Sequence, residues 1–548
     1  MSRAVVIGGG IAGLATAALL AREGHEVVLL EQSDRFGGRA GLWERDGFRF
    51  DTGPSWYLMP RVFDHFFRLL GTSAEEQLDL VDLDPGYRVY AEGADAPLDV
   101  AQEREANIAL FESVEPGAGA RLAAYLDEAA EVADLAESHF LYSTFAKLGP
   151  VFDGAVVRRS PRLVRLLLES LERLTHRTVA DRRLRQILGY PAVFLGSSPE
   201  RAPSMYSLMS ALDLADGVRY PRGGFRRVID AIEGLARAEG VVLRPGTRVR
   251  RIVVENGAAV GVEVDGSAGP EGPPVRVDAD VVVSAADLHH TETRLLTDPG
   301  TRTYPERWWS RRVAGPSALL LLLGVKGDVP ELEHHTLLFS KDWHANFDAI
   351  FGDAPRVPDT PSLYVCKPSG VDDSVAPEGH TNLFVLVPLP AEPGLGRGGV
   401  DGAGSAAMEA LADRVIAQIA EWTGASDLAD RIVVRRTIAP ADFANDLNAW
   451  KGTALGPAHT LRQSAFFRAG NASRKVRGLY YAGGSTIPGI GLPMCLISAE
   501  LVVKRLRGDT SAGPLPEPLE AGRAADRPTD DGDPSAGEAT VGAEAAGA

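Results

Sequence analysis

An α/β fold that opens with a Rossmann-like β-α-β unit is what this sequence predicts, and three observations predict it. Ala4-Val5-Val6-Ile7 reads as a buried strand, and Gly8-Gly9-Gly10-Ile11-Ala12-Gly13 then turns the chain into a helix running to about Arg22, rich in small residues. A second short strand, Val27-Val28-Leu29-Leu30, ends on Glu31, eighteen residues after Gly13. In this order the parts make a dinucleotide-binding fingerprint. Gly8 permits the tight turn, Gly10 lets a pyrophosphate approach the backbone, and Gly13 lets helix and sheet pack closely. The N–H groups at the helix start, around Ile11 and Ala12, and the positive end of its dipole suit phosphates. Glu31 stands where it accepts hydrogen bonds from an adenosine ribose.

The apolar stretch from residue 4 to 21 also has the look of a secretory leader or membrane span. Its glycines are spaced for the turn, however, and it leads without a break into the second strand, so removing it would destroy the motif. The chain has 548 residues, which predicts more than one domain, and 45% hydrophobic content is ample for sizeable cores. A formal net charge of −17 argues against nucleic acid as a partner. The only two cysteines, Cys366 and Cys495, are far apart, so no disulfide framework or zinc cluster is read and a reducing, cytoplasmic setting fits. No later segment approaches the length of apolar chain that a membrane span needs.

Further along, Gly47-Phe48-Arg49-Phe50-Asp51 reads as a strand ending in a turn, Thr52-Gly53-Pro54-Ser55-Trp56-Tyr57. Residues 60 to 135 mix helical and short strand patterns such as Tyr87-Arg88-Val89-Tyr90. Residues 156 to 188 are unusual: nine arginines (158, 159, 162, 165, 173, 177, 182, 183 and 185) meet three acids, with Leu163, Leu166, Leu167, Leu171 and Leu174 at helical spacing. That pattern reads either as a basic amphipathic helix on a membrane surface or as a helix packed on its own domain with a solvated arginine face. Tyr220-Pro221-Arg222-Gly223-Gly224-Phe225 opens a helix to about Ala238, its glycines letting backbone approach something flat. Arg248–Val254 and Ala259–Val264, joined through Asn256-Gly257, read as a hairpin, and Asp280–Ala285 as another buried strand.

Apolar runs at 317–324 and 383–388 read as central strands, able to floor an apolar cavity. His289, His290, His334 and His335 read as surface or turn histidines without metal-type partners. Late in the chain, Gly478–Ala482 reads as a strand, followed by the glycine-rich loop Gly483-Gly484-Ser485-Thr486-Ile487-Pro488-Gly489-Ile490-Gly491-Leu492 and a helix from Pro493 to about Arg507. Its dipole can face a cofactor ring and stabilise negative charge there. From Asp509 onward nine acids stand among Pro, Gly and Ala, a composition that reads as a disordered tail.

Four of these segments carry a resemblance. Glu31 followed by Gly37-Gly38-Arg39, "FDTGPSWYLMP", the order "YPRGG", hairpin, "VVVSAAD", and "GGSTIPGIGLP" together are similar to the bacterial-type phytoene desaturases, in the carotenoid desaturase family of FAD-dependent oxidoreductases. The likeness reaches to about residue 508. It implies a glutathione-reductase/amine-oxidase-like, FAD-binding Rossmann-like domain with an inserted α+β substrate and membrane-associating domain. It places the FAD domain at 1–95, 220–290 and 470–508, substrate parts at 96–219 and 291–469, and the tail at 509–548. It assigns FAD contacts to Gly8, Gly10, Ile11, Ala12, Gly13, Glu31, Arg35, Gly38, Arg39, Gly53, Pro54, Ser55, Val249, Gly483, Gly484, Ile490, Gly491 and Leu492.

The implied chemistry uses no catalytic side chain and no metal: flavin N5 takes a hydride from a phytoene-like polyene, toward lycopene or neurosporene, and oxygen or a quinone reoxidises the flavin. The enzyme would sit on the inner face of the cell membrane through residues 156–188. One departure stands out, since many relatives carry histidine where this chain has Ile487. An amine-oxidase-like enzyme acting on another carotenoid or isoprenoid, and a non-catalytic FAD-containing carotenoid carrier, stay open as alternatives.

Overall fold

The computed structural model describes residues 2–146, 160–266 and 269–522. The N-terminal apolar run forms the strand Arg3–Ile7 and the helix Ile11–Arg22, part of the fold rather than a leader. This strand is the centre of a five-stranded parallel sheet in the order Leu479–Tyr481, Val281–Ser284, Arg3–Ile7, Glu26–Leu30, Val242–Arg244. Parallel strands are covered on both faces, which is why these segments are nearly all Val, Leu and Ile. The helix Ile11–Arg22 is buried from Ile11 to Leu20 because the helices Phe225–Ala238 and Leu492–Arg507 pack on it. An apolar helix without a polar face is the pattern of a buried one. The hairpin Val249–Glu255 and Ala258–Val264 turns through Asn256 and Gly257, both at positive φ as a type I′ turn demands.

A second sheet of seven strands runs Ile432–Ile438, Ser317–Lys326, His380–Leu389, Leu363–Cys366, His335–Phe339, Tyr87–Ala91, Leu98–Val100. Strand Tyr87–Ala91 belongs here, so by sheet membership the expected division at residue 95 falls too late. Alternation divides this sheet's side chains cleanly. Leu319, Leu321, Leu323, Val365 and Val385 face the helix Ala406–Thr423, while Leu320, Leu322, Leu337, Phe339, Tyr364 and Phe384 face the other way, toward the site.

Two expectations change. The stretch read as one basic helix is, over its described part, three short helices: Ser160–Leu168, Leu171–Thr178 and Arg182–Gly189. Ser170 and Asp181 cap the second and third, their side chains accepting from Arg173 N and Arg183 N at 3.2 and 2.8 Å, and so break the run. Leu166, Leu171 and Leu174 are buried, whereas Val164, Leu167 and Leu168 are exposed. Of the described arginines, at least four are engaged within the protein: Arg165 with Glu128, Arg177 with Glu169, Arg183 with Asp181, and Arg182 on Glu92 O. Arg158 and Arg159, and the side chains of Arg162 and Leu163, lie outside the described residues.

The acidic tail is not uniformly free either. Residues 509–522 dock on the nucleotide domain, with Leu515 and Leu519 buried, Leu519 N donating to Leu69 O and Gly522 N to Arg22 O. Composition alone misjudges this piece, because two leucines and a few backbone hydrogen bonds suffice to hold it. Residues beyond 522 lie outside the described part.

Candidate active site

The C-terminal ends of the parallel strands open into a cavity of about 680 Å³, the place where open α/β sheets bind ligands. Of the residues assigned to FAD, Gly8, Gly10, Ile11, Ala12, Glu31, Gly38, Arg39, Gly53, Pro54, Ser55, Val249, Gly483, Gly484, Ile490, Gly491 and Leu492 all line it. Segments hundreds of residues apart thus meet on one surface. Gly13 does not line the cavity but has the packing role read for it: a Cβ there would stand 1.9 Å from Gly8 O. Arg35 is a correction. Its side chain is 66% exposed and pairs with Glu44 at 3.2 Å, away from the cavity, since the chain turns at Gly37 before it returns to the site.

The cradle fits a flavin dinucleotide. A Cβ on Gly10 would meet no protein atom closer than 3.9 Å, so the space in front of this glycine is open to the cavity. Glu31 is buried, and its two oxygens accept from Gly9 N at 2.6 Å and Ser33 N at 2.8 Å. These bonds aim the carboxylate, and each oxygen keeps a lone pair for a ribose hydroxyl. Arg39 is held at the wall by Nε donating to Ala454 O at 2.7 Å.

Gly223 and Gly224 serve a purpose different from the one read in the sequence. Asp51, at the end of strand Phe48–Asp51, accepts from Phe225 N and Arg226 N at 2.7 and 3.1 Å, and a Cβ on Gly224 would stand 2.4 Å from its carboxylate. Gly224 admits a carboxylate that caps the helix and ties two motifs together. Burial pushes that carboxyl up to about 6.

The late glycine loop is braced from below. Arg468 is buried and donates to the carbonyls of Pro457, Gln463, Gly484 and Thr486. Burial lowers it to about 10, so it stays charged beneath the loop. His459 Nε2 accepts from Ile490 N at 3.1 Å, and Gly489 is glycine because a Cβ would run into that imidazole. With Nε2 accepting, Nδ1 carries the proton and donates to Tyr206 Oη at 2.7 Å, which donates on to Ser464 Oγ at 2.9 Å. Burial and the neighbouring Arg468 keep this imidazole well below its usual range, hence neutral. So a histidine does stand at the loop, brought from residue 459 rather than from the place of Ile487, and no spacing in the sequence announces it.

Beyond the cradle the cavity is walled by side chains that sequence reading left unassigned: Trp56, Tyr190, Phe194, Phe339, Tyr364 and Leu386 among them. Cys495 also lines it, within the helix Leu492–Arg507 as expected, its thiol pushed up by burial to about 11.

His334 and His335 are not surface residues. Both are buried and, with Cys366, bring one ligand-type atom each within 4.8 Å of one another, which overturns the expectation of histidines without such partners. Antiparallel pairing sets His335 directly opposite Cys366. Burial drives His334 down to about 3, His335 well below its usual value and the Cys366 thiol up to about 12, leaving a neutral group. From it a hydrogen-bonded chain leads to the cavity: His335 Nδ1 to Tyr364 Oη at 2.6 Å, then Ser55 Oγ at 2.7 Å.

The mouth of the cavity is apolar. Leu167, Leu461, Phe466 and Phe467 line it and are also 37–50% exposed. Among the described residues no helix is long and apolar enough to cross a membrane.

An N-terminal dinucleotide cradle and a second glycine loop lining the same side-chain-walled cavity are the features of a flavin oxidoreductase. The chain belongs to the flavin containing amine oxidoreductase family, whose profile matches residues 11–507, and it stands with the bacterial-type carotenoid desaturases within it. It is an FAD-dependent enzyme. It is 42% identical over 504 residues to the carotenoid 3,4-desaturase of Haloarcula japonica, covering 92% of this chain and 98% of that one. To the zeta-carotene-forming phytoene desaturase of Myxococcus xanthus it is 35% identical, covering 92% and 93%. Among solved structures, an oxidoreductase from Methanosarcina mazei matches with TM-score 0.60 at 18% identity over 92% of this chain and all of that one. A putrescine oxidase matches with TM-score 0.57 at 15% identity, covering 93% and 98%. At these identities the structures show the shared fold.

Proposed function

We propose that the protein draws a phytoene-like polyene from a membrane surface and introduces conjugated double bonds into it, toward lycopene or neurosporene. The observation that carries this reading is the continuity of one cavity from the glycine cradle to an exposed apolar mouth. Bound FAD supplies the two-electron acceptor, which oxygen or a quinone then reoxidises. The protein's share is positional. Gly8, Gly10 and the helix start at Ile11 hold the pyrophosphate, Glu31 the ribose, and Gly53, Pro54 and Ser55 the ring side. The helix start at Leu492 and the buried charge of Arg468 favour negative charge on the reduced ring. A polyene has no charged handle, so rate must come from alignment and exclusion of water, and apolar walls provide both.

Membrane contact is assigned to the mouth: Leu461, Phe466 and Phe467, with Val164, Leu167 and Leu168 from the 156–188 region. Such exposed apolar groups beside an apolar cavity are unusual on a protein that meets only water. Anaerobic bleaching of the flavin by phytoene in liposomes tests the function, and it separates an enzyme from a carrier. Bleaching by amines but not by carotenoids would sink it. A double variant, Phe466→Ser with Phe467→Ser, should keep its flavin and leave the liposome pellet; unchanged co-sedimentation would remove the mouth from membrane contact.

A second reading has its own support. The greater identity to the 3,4-desaturase favours a substrate that is already conjugated and is desaturated near its end. Supplying phytoene and lycopene separately, and comparing the absorbance spectra of the products, decides between them.

A further inference from the structure

A buried carboxylate stands just behind the wall of the substrate cavity. Asp213 lies in the last turn of the helix Leu208–Leu214 and is 2% exposed. Its Oδ2 accepts from Tyr190 Oη at 2.5 Å and from Tyr87 Oη at 3.3 Å, while its Oδ1, equally buried, has no hydrogen-bond partner. Among the described residues it forms no ion pair. A buried carboxylate whose side-chain partners are phenols, with no cation beside it among the described residues, is costly, and a fold under no other demand would place an amide or an apolar group there. Tyr190 itself lines the cavity. Trp56, which follows Ser55 of the cofactor segment, packs on both tyrosines, with ring centroids 5.5 Å from Tyr87 and 6.1 Å from Tyr190. One aromatic ring therefore separates the pair from the segment assigned to the flavin.

Desaturation removes two hydrogens, and only one of them leaves as hydride. Resting on the reading above, we propose that Tyr190 and Asp213 are the proton-accepting pair of the reaction. One C–H bond breaks and its electron pair leaves with the hydrogen to the bound flavin. On the neighbouring carbon the second C–H bond breaks and its electrons become the new C=C bond. The freed proton goes to Tyr190 Oη as the phenolic proton of Tyr190 passes to Asp213 Oδ2. The substrate loses two hydrogens and two electrons, the flavin gains a hydride, and Asp213 ends protonated. Tyr190 is the group that meets the substrate, and Asp213 acts through it. Once hydride departs, positive charge on the polyene makes the adjacent C–H acidic, and an ionised carboxylate nearby favours that charge as well.

Burial raises Asp213 to about 7. The groups that face it are Tyr87 from strand Tyr87–Ala91, Tyr190 from the junction after helix Arg182–Gly189, and Tyr125 from helix Ala118–Ala136, whose hydroxyl meets Ser210 Oγ. Burial holds all three phenols above their usual range, so they stay neutral while Asp213 titrates. Proton acceptance needs the carboxylate form and should therefore grow in as pH rises through about 7.

The test uses the full, FAD-loaded chain with phytoene liposomes, following anaerobic flavin bleaching from about pH 6 to 9, a range that spans the expected titration. Wild type should speed up with pH and level off above neutrality. Asp213→Asn keeps an oxygen to accept from both tyrosines, and Tyr190→Phe keeps the ring. Each should retain its flavin and its KM, bleach at least roughly tenfold more slowly, and lose the pH limb. Independently of turnover, infrared spectra of wild type should show a protonated-carboxyl C=O band that fades as pH rises through neutrality and is missing from Asp213→Asn. A wild-type pH limb surviving in Asp213→Asn, or a carboxyl band that does not titrate, overturns the proposal. If wild type is not bleached at any pH, the desaturase reading falls and takes the pair's role with it. If wild type and Asp213→Asn bleach alike, the pair alone falls.

Discussion

The two ends of the cavity are made of different material. At the nucleotide end the wall is main chain: Gly8, Gly10, Gly38, Gly483 and Gly491 all line it, and at Gly10, Gly483 and Gly491 a Cβ would meet no protein atom closer than 3.6 Å. At the polyene end the wall is side chain, set by one face of the seven-stranded sheet and by aromatic rings such as Trp56, Tyr190 and Tyr364. A backbone site is specified by where glycine must stand, and that is written locally in the chain. A side-chain site is specified by which strands become neighbours.

The sharpest way to break this comparison lies within one motif. A Cβ on Gly13 would meet Gly8 O at 1.9 Å, backbone against backbone, with no flexible atom to yield. Gly13→Val is expected to abolish the folded nucleotide domain, with neither soluble protein nor flavin recovered. A Cβ on Gly10 meets nothing of the protein within 3.9 Å, so Gly10→Val should fold and yet carry no flavin. Circular dichroism melting and the visible spectrum separate the outcomes. A yellow Gly10→Val protein would show that the pyrophosphate does not lie there.

This contrast explains what could be read in advance. Both glycine loops, the helix starting at Phe225 and four of the five strands of the parallel sheet were legible, all but the edge strand Val242–Arg244, because turn chemistry and apolar periodicity act over a few residues. Strand Ser317–Lys326 was legible as a strand, but which of its leucines face the site follows only from register with His380–Leu389. His459 and Arg468 carry no local signal at all, since their partners are backbone groups at Ile490 and Gly484. Arg35 misled because it shares the motif's sequence neighbourhood but lies on the outside of the turn. His334 and His335 misled for a related reason: adjacent histidines look solvated until pairing sets a cysteine against them.

A second pair of substitutions asks whether the tail is part of the nucleotide end. Leu519 is 2% exposed and packs in the same core cluster as Leu19 and Phe66. Leu519→Ala should destabilise the protein by about 2–4 kcal/mol through lost burial and the cavity left behind. A melting temperature equal to wild type would mean that the tail is undocked in solution. Glu31→Ala is expected to cost less in stability and to act on the cofactor, weakening FAD by about 1–3 kcal/mol. Its effect should appear in a flavin titration rather than in the melting of apoprotein. If apoprotein melting falls by more than FAD affinity does, Glu31 serves mainly to fasten Gly9 and Ser33.

The smallest expected effect is a pH dependence of tail docking. His65 bridges the helix Leu492–Arg507 and the tail, with Nε2 2.9 Å from Glu500 Oε2 and Nδ1 bonded to Glu517. Burial works to lower its pKa, but Glu500 and Glu517 together carry it above the usual 6.5. A histidine whose folded pKa is raised contributes stability that is fully present below its unfolded value and is lost as pH rises through the folded one. Removing one of the two acids should shrink that contribution. Denaturant melts of wild type and Glu517→Gln should therefore differ most below about pH 6.5, the unperturbed histidine value, and converge in alkaline solution. Because Leu515 and Leu519 stay buried whatever the charge of His65, convergence should occur without release of the tail, and protease sensitivity near residue 517 should change little. A gap between the two proteins that is constant with pH would mean that His65 is neutral throughout, so that Glu517 holds the tail by an ordinary hydrogen bond.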